Sequence, residues 1–286
     1  MSTIPIIQHS AEILSNREIG PGLYWIDLLA PDITSHALPG HFVHLIASDV
    51  AKNSNRQTWL RHTPLLRRPF SIAERDPEKG VFGLIYRVVG GGTEILSRRC
   101  DGEFIDVIGP LGRPLAPVRR GGSVIIVAGG VGVAPFLSLA QETVRNVTAN
   151  PEDITVLFGA ATLDLLSGEE KFRQLGITVK LATDDGSSGY KGLVTDLLEE
   201  ELTASSRECK YLYACGPTLM MRRCQEIARE EEIDGQVSLE GIMPCGVGVC
   251  MACVIPCVVP KDRSSELHYE RVCDTGPVFD IQEVVL

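Results

Sequence analysis

A group of cysteines near the end of the chain constrains the fold more than any other sequence feature. Cys245, Cys250 and Cys253 follow a C-x4-C-x2-C spacing, and Cys273 lies 20 positions after Cys253. Two glycines inside this loop let the backbone bend tightly and bring N–H groups toward bound sulfur atoms. A short cysteine loop with a distant fourth cysteine is the plant-type ligand pattern. The spacing therefore predicts a [2Fe–2S] cluster on these four cysteines.

Two alternatives to this ligand set follow from the residues. A zinc site usually has a cysteine pair in each half, whereas the second half here holds no pair. Cys257 stands in C-x3-C spacing after Cys253 and competes with Cys273 as the fourth ligand. Residues 254–256 are typical of a strand that leaves the loop and carries Cys257 away, which favours Cys273.

Composition limits the class of protein. The chain has 286 residues, 44% of them hydrophobic and 22% charged, which fits a folded protein of two or three domains. Its net charge of −10 argues against a nucleic-acid or anionic-membrane binder. The nine cysteines are an odd number and five fall from Cys245 onward, so they do not form a disulfide framework.

The apolar segments indicate neither a targeting signal nor a membrane span. The first residues contain only a short apolar stretch around Ile4 to Ile7, too short for a secretory signal. The longest apolar run, 124–139, is interrupted by three glycines before its helix and by Pro135. Together with free cysteines, these features predict a cytoplasmic location with no membrane contact.

The first part of the chain, residues 1–118, is typical of an antiparallel β-barrel. Its short segments are rich in β-branched and aromatic residues and are bounded by glycine and proline clusters. The predicted strands are Leu23–Leu29, His41–Ile46, Phe70–Ile72, Phe82–Val89 and Phe104–Gly109. The polar stretch Asp49–Pro64 is predicted to be an exposed loop.

The pattern changes near residue 119. From there to residue 238, strands alternate with helical segments, which predicts an α/β domain with a parallel sheet. Predicted strands are Ser123–Ala128, Ile154–Phe158, Thr178–Thr183 and Tyr211–Ala214, and predicted helices are Phe136–Val147, Ser167–Gln174, Leu193–Leu202 and Leu219–Glu232. Residues 239–286 are weakly periodic and form the predicted small cluster-binding domain.

Two glycine turns mark a nucleotide site in this second domain. Gly129, Gly130 and Gly132 follow a strand and open a helix, where close backbone approach and a helix N-terminus favour a pyrophosphate. Cys215-Gly216-Pro217 follows a later strand at the same sheet edge, beside the expected nicotinamide. A tight turn without ligand, and a helix start with a buried thiol, are the structural alternatives.

Two further segments bear on the nucleotide. Asp184-Asp185-Gly186 ends another strand at this edge of the sheet. The segment is either part of the nucleotide site or an ordinary turn. The stretch after the strand at 154–158 contains Asp164 and no Arg or Lys to hold a 2′-phosphate. Because Asp164 would repel such a phosphate, the sequence favours NAD over NADP.

The predicted barrel carries a second set of candidate binding residues. Arg67 and Arg68 precede Pro69-Phe70-Ser71, and an arginine can grip a pyrophosphate while a serine hydroxyl bonds a flavin ring atom. The glycines before Thr93 can expose N–H groups to a phosphate. Tyr86 can stack on an aromatic ring, or it can be a core residue of the barrel.

Together these segments resemble the ferredoxin–NADP reductase superfamily over nearly the whole chain. Arg68-Pro69-Phe70-Ser71 resembles its flavin motif, and the turn 129–135 with Cys215-Gly216-Pro217 resembles its nicotinamide motifs. The C-terminal cysteine loop, with the segments 182–186 and 272–279, narrows the likeness to electron-transfer subunits of class 1B dihydroorotate dehydrogenases.

The resemblance implies three cofactors and their ligands. It assigns FAD to Arg68, Pro69, Phe70, Ser71, Ile85, Tyr86, Arg87, Gly92 and Thr93. It assigns NAD to Gly129, Gly130, Gly132, Gly216 and Pro217, with Cys215 as the catalytic residue beside the nicotinamide. It assigns the cluster to Cys245, Cys250, Cys253 and Cys273, and the Cys-Asp-x-Gly-Pro-Val-Phe setting of Cys273 favours it over Cys257.

The resemblance also implies a function in pyrimidine (UMP) biosynthesis. A partner subunit with FMN oxidises dihydroorotate, and electrons pass through the [2Fe–2S] cluster and FAD to NAD⁺. Two copies of each subunit form the implied heterotetramer. Two departures stand out: the stretch Asp49–Pro64 is long for the family, and so is the gap from Cys253 to Cys273.

Two other functions fit the same residues. A similar reductase subunit can serve another partner, such as a sulfite reductase, a hydrogenase or a glutamate-synthase-like enzyme. A related subunit of ferredoxin–NADP transhydrogenases has Asp in place of the first cluster cysteine, so Cys245 argues against that version. The second possibility is a non-catalytic binding module stabilised by zinc.

Overall fold

The computed structural model describes residues 4–47, 66–118, 122–204, 209–258 and 267–286. The predicted loop Asp49–Pro64 lies outside the described residues. Within the described ranges, no helix combines the length and apolar character needed to cross a bilayer.

Six antiparallel strands close into a barrel, as the short β-branched and aromatic segments of the first part predict. They are β1 (Ile7–Gly20), β2 (Leu23–Leu29), β3 (Phe42–Leu45), β4 (Arg68–Asp76), β5 (Val81–Arg87) and β6 (Phe104–Leu111). Their order around the barrel is β1-β2-β5-β4-β3-β6. Alternate residues such as Val43 and Leu45 on β3, or Ile72 on β4, fill the barrel interior.

Three barrel elements were not predicted. Strand β1 begins where the sequence shows only a short apolar stretch; few of its side chains, among them Ala11 and Ile13, are buried, so its hydrophobic signal is weak. The helices α1 (Pro31–His36) and α2 (Gly91–Ser97) are each short connections. In α2, the Thr93 hydroxyl donates to the Gly90 carbonyl and accepts from the Val89 N–H, which orders the glycine turn.

The second part forms the predicted parallel sheet with flanking helices. Its strands are β7 (Ser123–Gly129), β8 (Ile154–Ala160), β9 (Thr178–Thr183), β10 (Tyr190–Lys191), β11 (Cys209–Cys215) and β12 (Gly235–Ser238). Its helices are α3 (Ala134–Arg145), α4 (Glu169–Gln174), α5 (Val194–Ala204) and α6 (Thr218–Glu230). The order β10-β9-β8-β7-β11-β12 places β7 beside β11, so the two predicted glycine turns are neighbours.

The C-terminal segment is integrated into this sheet. Strands β13 (Val254–Val258) and β14 (Leu267–Arg271) form an antiparallel pair, and β15 (Val278–Asp280) joins β12 antiparallel at the sheet edge. The buried Gln225 side chain on α6 donates to the carbonyls of Ile281 and Val284, at 2.6 and 2.7 Å. The end of the chain is therefore anchored on helix α6.

Polar contacts join the barrel to the sheet domain. Arg75 on β4 forms an ion pair with Glu142 on α3. Lys171 on α4 pairs with Glu74 at 2.8 Å, and its ammonium lies 4.4 Å from the Trp25 ring centroid. These contacts orient the two domains around the clefts described below.

Candidate functional site

The cysteine loop has a tight backbone at its two glycines. Gly246 and Gly248 have φ of 71° and 75°, in the left-handed region that glycine adopts without strain. A Cβ at position 246 would lie 2.5 Å from Cε1 of His44 on β3. One at position 248 would lie 3.0 Å from a carboxylate oxygen of Asp274. The loop therefore packs directly on the barrel on one side and on the segment after Cys273 on the other.

The structure brings the four predicted ligands together in two pairs. The Sγ atoms of Cys253 and Cys273 lie 3.3 Å apart, and both residues are buried. The Cys250 N–H donates to Cys245 Sγ at 3.4 Å, with Cys250 exposed and Cys245 partly buried. The Gly248 N–H donates to Cys273 Sγ at 3.2 Å. None of these four cysteines is in a disulfide, so each has a sulfur atom available as a ligand. Backbone N–H groups of the loop donate to two of these sulfur atoms.

The electrostatics of these thiols suit a cationic centre. Burial raises the pKa of Cys245, but N–H groups of Cys250, Val247 and Val249 and the Cys250 thiol outweigh it and lower this pKa to about 6. Burial and the neighbouring Cys253 raise the pKa of Cys273 to about 12. Crowded thiols hold their protons because thiolates repel, and bound iron removes that repulsion.

The cluster fits this donor set. Four sulfur ligands with backbone donors aimed at them match the needs of a [2Fe–2S] group. Among the residues that the structure describes, no three His, Cys, Asp or Glu side chains stand in a ready-made metal-binding arrangement. The four thiols are instead grouped as two pairs, which is the grouping that a cluster with two iron atoms would need.

Cys257 has different surroundings. It lies on β13, as the strand prediction for residues 254–256 implied, and its backbone pairs with His268 and Val284. Its side chain is buried, and burial with the nearby Glu270 and Glu283 raises its pKa. An apolar, acidic environment disfavours the thiolate that a metal ligand needs.

A cavity of about 500 Å³ gathers the predicted flavin residues. It is lined by Arg68, Pro69, Phe70 and Ser71 on β4, by Ile85, Tyr86 and Arg87 on β5, and by Thr93 on α2. Gly92 is buried beside Thr93 in the same helix. The opposite wall is the segment 239–243, which leads into the cysteine loop. The cavity thus lies between the barrel and the C-terminal segment.

Tyr86 is a core residue of the barrel that also lines this cavity. Its ring stacks on Tyr24 at 5.4 Å between centroids, and its hydroxyl donates to Asn16 at 2.9 Å. Burial raises its pKa, so the phenol stays protonated. The side chain belongs to the barrel core and also lines the cavity.

The two arginines before the flavin motif differ in their contacts. Arg67 forms an ion pair with Asp106 at 2.7 Å. The Arg68 guanidinium donates to the carbonyl of Leu66 at 2.7 Å and also lines the cavity. These hydrogen bonds go to backbone carbonyls, so of the two arginines Arg68 is the one that faces the cavity without an ion pair to a described carboxylate.

A second cavity, of about 740 Å³, lies at the carboxyl ends of the parallel strands. Gly129, Gly130, Gly216 and Pro217 line it, as predicted. Gly132 lies behind them, where a Cβ would sit 2.4 Å from the carbonyl oxygen of Cys215. The glycine turns after β7 and β11 therefore pack against each other, which is the arrangement that open α/β sheets use to bind nucleotides.

Cys215 is buried directly beside this cavity, as the last residue of β11. Burial, with the charge of Glu240, raises its pKa well above the ordinary value, and a hydrogen bond with Ser238 lowers it slightly. The thiol is consequently protonated and uncharged. Such a group can pack against a ring but is a poor nucleophile.

Of the acidic residues predicted near the nucleotide, only Asp184 lines the cavity. Asp184, after β9, lines the cavity, whereas Asp164 is exposed in the short 3₁₀ turn 163–165, whose Leu165 is a lining residue. Arg223 also lines it, but its guanidinium is bound to Glu199 and Glu226.

The two cavities meet, which the sequence did not predict. Arg87, Val131 and Glu240 line both of them. Glu240 is an exposed residue, but the protein around its carboxyl group desolvates it and raises its pKa. Sequence reasoning missed Glu240 because a single acid after a short strand has no distinctive spacing. The one sequence feature that could have indicated Glu240 is its position between the last parallel strand and the cysteine loop.

Comparison with known proteins matches these features. Residues 240–285 match the iron–sulfur cluster binding domain of dihydroorotate dehydrogenase B, and residues 126–226 match the oxidoreductase NAD-binding domain. A solved structure of an NADH-dependent reduced ferredoxin-NADP oxidoreductase superposes with a TM-score of 0.78 and 32% identity. That match covers 97% of this chain and 90% of the other.

Two curated relatives align over nearly the full length. The dihydroorotate dehydrogenase B (NAD(+)), electron transfer subunit of Desulforamulus reducens is 37% identical over 275 residues, 96% of this chain and 97% of its own. The subunit of the same name from Bacillus cereus strain B4264 is 38% identical over 277 residues, 96% and 97% of the two chains. The chain therefore belongs to the family of dihydroorotate dehydrogenase B electron transfer subunits.

Proposed function

We propose that this chain is the electron-transfer subunit of a dihydroorotate dehydrogenase in pyrimidine biosynthesis. Electrons from a partner subunit reach NAD⁺ by way of a [2Fe–2S] cluster and FAD. The observation that supports this order is the position of the flavin cavity. It shares Arg87, Val131 and Glu240 with the nucleotide cavity, and its opposite wall, residues 239–243, continues into the cysteine loop.

The chemistry of the three groups explains why one chain would hold them all. A cluster supplies one-electron transfer, a nicotinamide accepts an electron pair as hydride, and a flavin does both when bound. The chain's task is to hold these groups in contact range and to keep water from the transfer path. The shared wall of the two cavities serves this purpose, because a nicotinamide and a flavin ring must approach face to face across it.

The proposed ligands are those predicted from the sequence. Cys245, Cys250, Cys253 and Cys273 hold the cluster. Arg68, Pro69, Phe70, Ser71, Ile85, Tyr86, Arg87, Gly92 and Thr93 hold FAD. Gly129, Gly130, Gly132, Gly216 and Pro217 hold NAD. Cys215 packs at the nicotinamide as a neutral thiol, so its proposed contribution is to position the ring.

We further propose a division into residues 1–118, 119–238 and 239–286 for flavin, nucleotide and cluster binding. Its support is that the barrel, the parallel strands and the cysteine loop fall within these ranges. Strand β15, from the third range, pairs with β12 of the second, so the third unit is hydrogen-bonded to the sheet of the second.

The proposed partner is a catalytic subunit with FMN, in a heterotetramer of two copies of each chain. The name of the relatives, electron transfer subunit, supports a separate catalytic partner. We place the complex in the cytoplasm, because the described cysteines are all free thiols, which reducing compartments maintain.

Native co-purification followed by a dihydroorotate–NAD⁺ assay tests the proposal. The complex should oxidise dihydroorotate with NAD⁺, while the isolated chain should show NADH-to-dye activity and no dihydroorotate oxidation. Robust dihydroorotate oxidation by the isolated chain would contradict the division of labour. A colourless, zinc-containing preparation, without flavin or iron–sulfur absorbance, would contradict the redox function altogether.

One observation favours a second candidate function. The likeness to the NADH-dependent reduced ferredoxin-NADP oxidoreductase covers almost the whole of both chains. A subunit of this shape can deliver electrons from a nicotinamide to another partner. A co-purified flavoprotein that is inactive on dihydroorotate but exchanges electrons with this chain would support that alternative.

A further inference from the structure

A buried histidine with unused ring nitrogens lies beneath the cysteine loop. His44 is 0% exposed on strand β3, and neither Nδ1 nor Nε2 has a hydrogen-bond partner among the described residues. A neutral imidazole has one N–H donor and one acceptor, and burying both without partners is costly. A group bound beside His44 would therefore complete its hydrogen bonding.

The His44 ring packs against the cysteine loop with its face, and its two nitrogens lie beside Gly246. A Cβ at Gly246 would lie 2.6 Å from Nδ1, 2.8 Å from Nε2 and 2.5 Å from Cε1 of His44. Gly246 directly follows Cys245. Only a glycine leaves room for the ring here, so both ring nitrogens are held next to the residue that follows the first proposed cluster ligand.

The same histidine is adjacent to the flavin cavity. In the β3–β4 pairing His44 is opposite Pro69, and Leu45 is opposite Arg68. Its ring lies edge-on to Phe42 at 5.8 Å between centroids, and Phe42 lines the flavin cavity. His44 thus lies between the barrel wall of that cavity and the cysteine loop.

We propose that a ring N–H of His44 donates a hydrogen bond to a sulfur atom of the [2Fe–2S] group held by the Cys245 loop, on the side facing the barrel, and raises its reduction potential. The inference rests on the proposed function, because it requires that the loop binds the cluster. Reduction adds negative charge to the cluster sulfurs, and a donor that points at them stabilises the reduced form. His44 is therefore a positioning and tuning residue.

Redox titration of the full chain, monitored by the EPR signal of the reduced cluster, tests the proposal. His44→Leu removes the donor, and we expect the ratio of reduced to oxidised cluster at fixed potential to fall about tenfold, which is ~59 mV for a one-electron couple. His44→Asn and His44→Gln place an N–H near the Nδ1 and Nε2 positions. At least one should recover most of the wild-type potential and identify the donating nitrogen.

The control is His41, the other buried histidine of this strand region. Its Nε2 is also without a described partner, but its Nδ1 accepts from the Leu38 N–H at 3.0 Å, and its charged neighbour is Arg75 rather than Arg67 or Arg68. His41→Asn keeps an acceptor for Leu38. The cluster potential of this variant should equal that of the wild type.

The outcomes separate the inference from the proposed function. A wild-type chain without iron and labile sulfide would overturn the proposed function itself. A loaded chain whose potential is the same in His44→Leu would overturn only the role of His44. A fall in potential that neither Asn nor Gln reverses would overturn the hydrogen bond, since packing alone would then account for the shift.

Discussion

Cys253 and Cys273 lie on opposite sides of the open end of a hairpin, with their sulfur atoms 3.3 Å apart. Cys253 precedes β13 and Cys273 follows β14, whose first and last residues, Val254 and Arg271, are paired. The Val272 N–H donates to the Cys253 carbonyl at 3.0 Å. The long sequence gap between the two cysteines is therefore spanned by a hairpin that returns the chain to the loop.

This geometry predicts different effects for two serine substitutions. Cys273→Ser should abolish or strongly reduce cluster incorporation, because it removes a thiolate from the proposed ligand set. Cys257→Ser should retain the cluster, since this residue lies within β13, where its backbone pairs with His268 and Val284. Iron and labile sulfide analysis with visible absorbance measures both. Loss of the cluster in Cys257→Ser, with retention in Cys273→Ser, would reverse the ligand assignment.

The glycine turns predict a graded response to alanine in the nucleotide cavity. At Gly132 the added Cβ would meet backbone, the Cys215 carbonyl, at 2.4 Å. At Gly129 it would meet side-chain atoms, Pro217 Cδ at 2.7 Å and Met220 Sδ at 2.8 Å. Overpacking of this kind costs about 1–3 kcal/mol, and backbone yields less than side chains. The KM for NADH should therefore rise more in Gly132→Ala than in Gly129→Ala.

Steady-state NADH-to-dye assays measure that difference, with FAD content as the check on the barrel. Both variants should retain FAD, because the flavin cavity is bounded mainly by β4, β5 and residues 239–243. Equal KM values for the two variants would argue against the close contact of the turns after β7 and β11.

The ion pair between Arg75 and Glu142 should contribute to the stability of the domain arrangement. The two side chains are only 12% and 27% exposed, so removing one leaves a partly buried charge. We expect Arg75→Met to lower the free energy of unfolding by about 1–3 kcal/mol, with partial recovery in Arg75→Met/Glu142→Gln. Thermal unfolding of the FAD-loaded chain measures this.

A matched surface pair provides the control. Arg98 and Glu94 form an ion pair at 2.5 Å, but their side chains are 72% and 53% exposed. Exposed pairs contribute about 0–1 kcal/mol, so Arg98→Met should have a small effect. Equal destabilisation by Arg98→Met and Arg75→Met would show that burial at the domain interface adds nothing.

Cys215 should be chemically inert in the folded protein. Burial and Glu240 raise the pKa of its thiol, so iodoacetamide at pH 8 should label exposed Cys100 far faster than Cys215. Peptide mass mapping after timed labelling measures both rates. Comparable labelling of the two residues would indicate an accessible thiolate at Cys215.

The same pKa shift has a consequence for stability. Because the folded state holds the Cys215 proton more tightly than the unfolded state, this thiol's contribution to stability is complete below its unfolded pKa. It is lost as pH rises through that value toward the raised folded pKa. Cys215→Ala should therefore reduce the loss of stability at alkaline pH, measured by urea unfolding at pH 7 and pH 9.5.

Local patterns predicted most of the fold. The strand-and-helix alternation from residue 119 and the glycine turns at Gly129 and Gly216 gave the parallel sheet, because apolar periodicity and glycine punctuation are strong there. Strand β1 was missed because only two of its 14 residues, Ala11 and Ile13, are buried, so the strand has little hydrophobic signal. Strand β15 was missed because three residues that pair at a sheet edge leave no periodic signal.

The site could be predicted only where residues are close in sequence. The spacing from Cys245 to Cys253 predicts a ligand loop, and the flavin motif from Arg68 to Ser71 lies within a single strand. Both can be read from neighbouring residues. The contact of His44 with Gly246, and the place of Glu240 between two cavities, arise from the packing of the barrel against the C-terminal segment. Such tertiary relationships leave no trace in local spacing.

The pairing of β15 with β12 has a consequence for electron transfer. Both ends of the cysteine segment are held: its start follows β12 directly, and its end returns to that strand and to Gln225. The loop is therefore not a tethered carrier that shuttles between docking positions. Its distance from the flavin cavity is set by hydrogen-bonded geometry, so exchange between them should be governed by tunnelling distance and driving force rather than by diffusion of a domain.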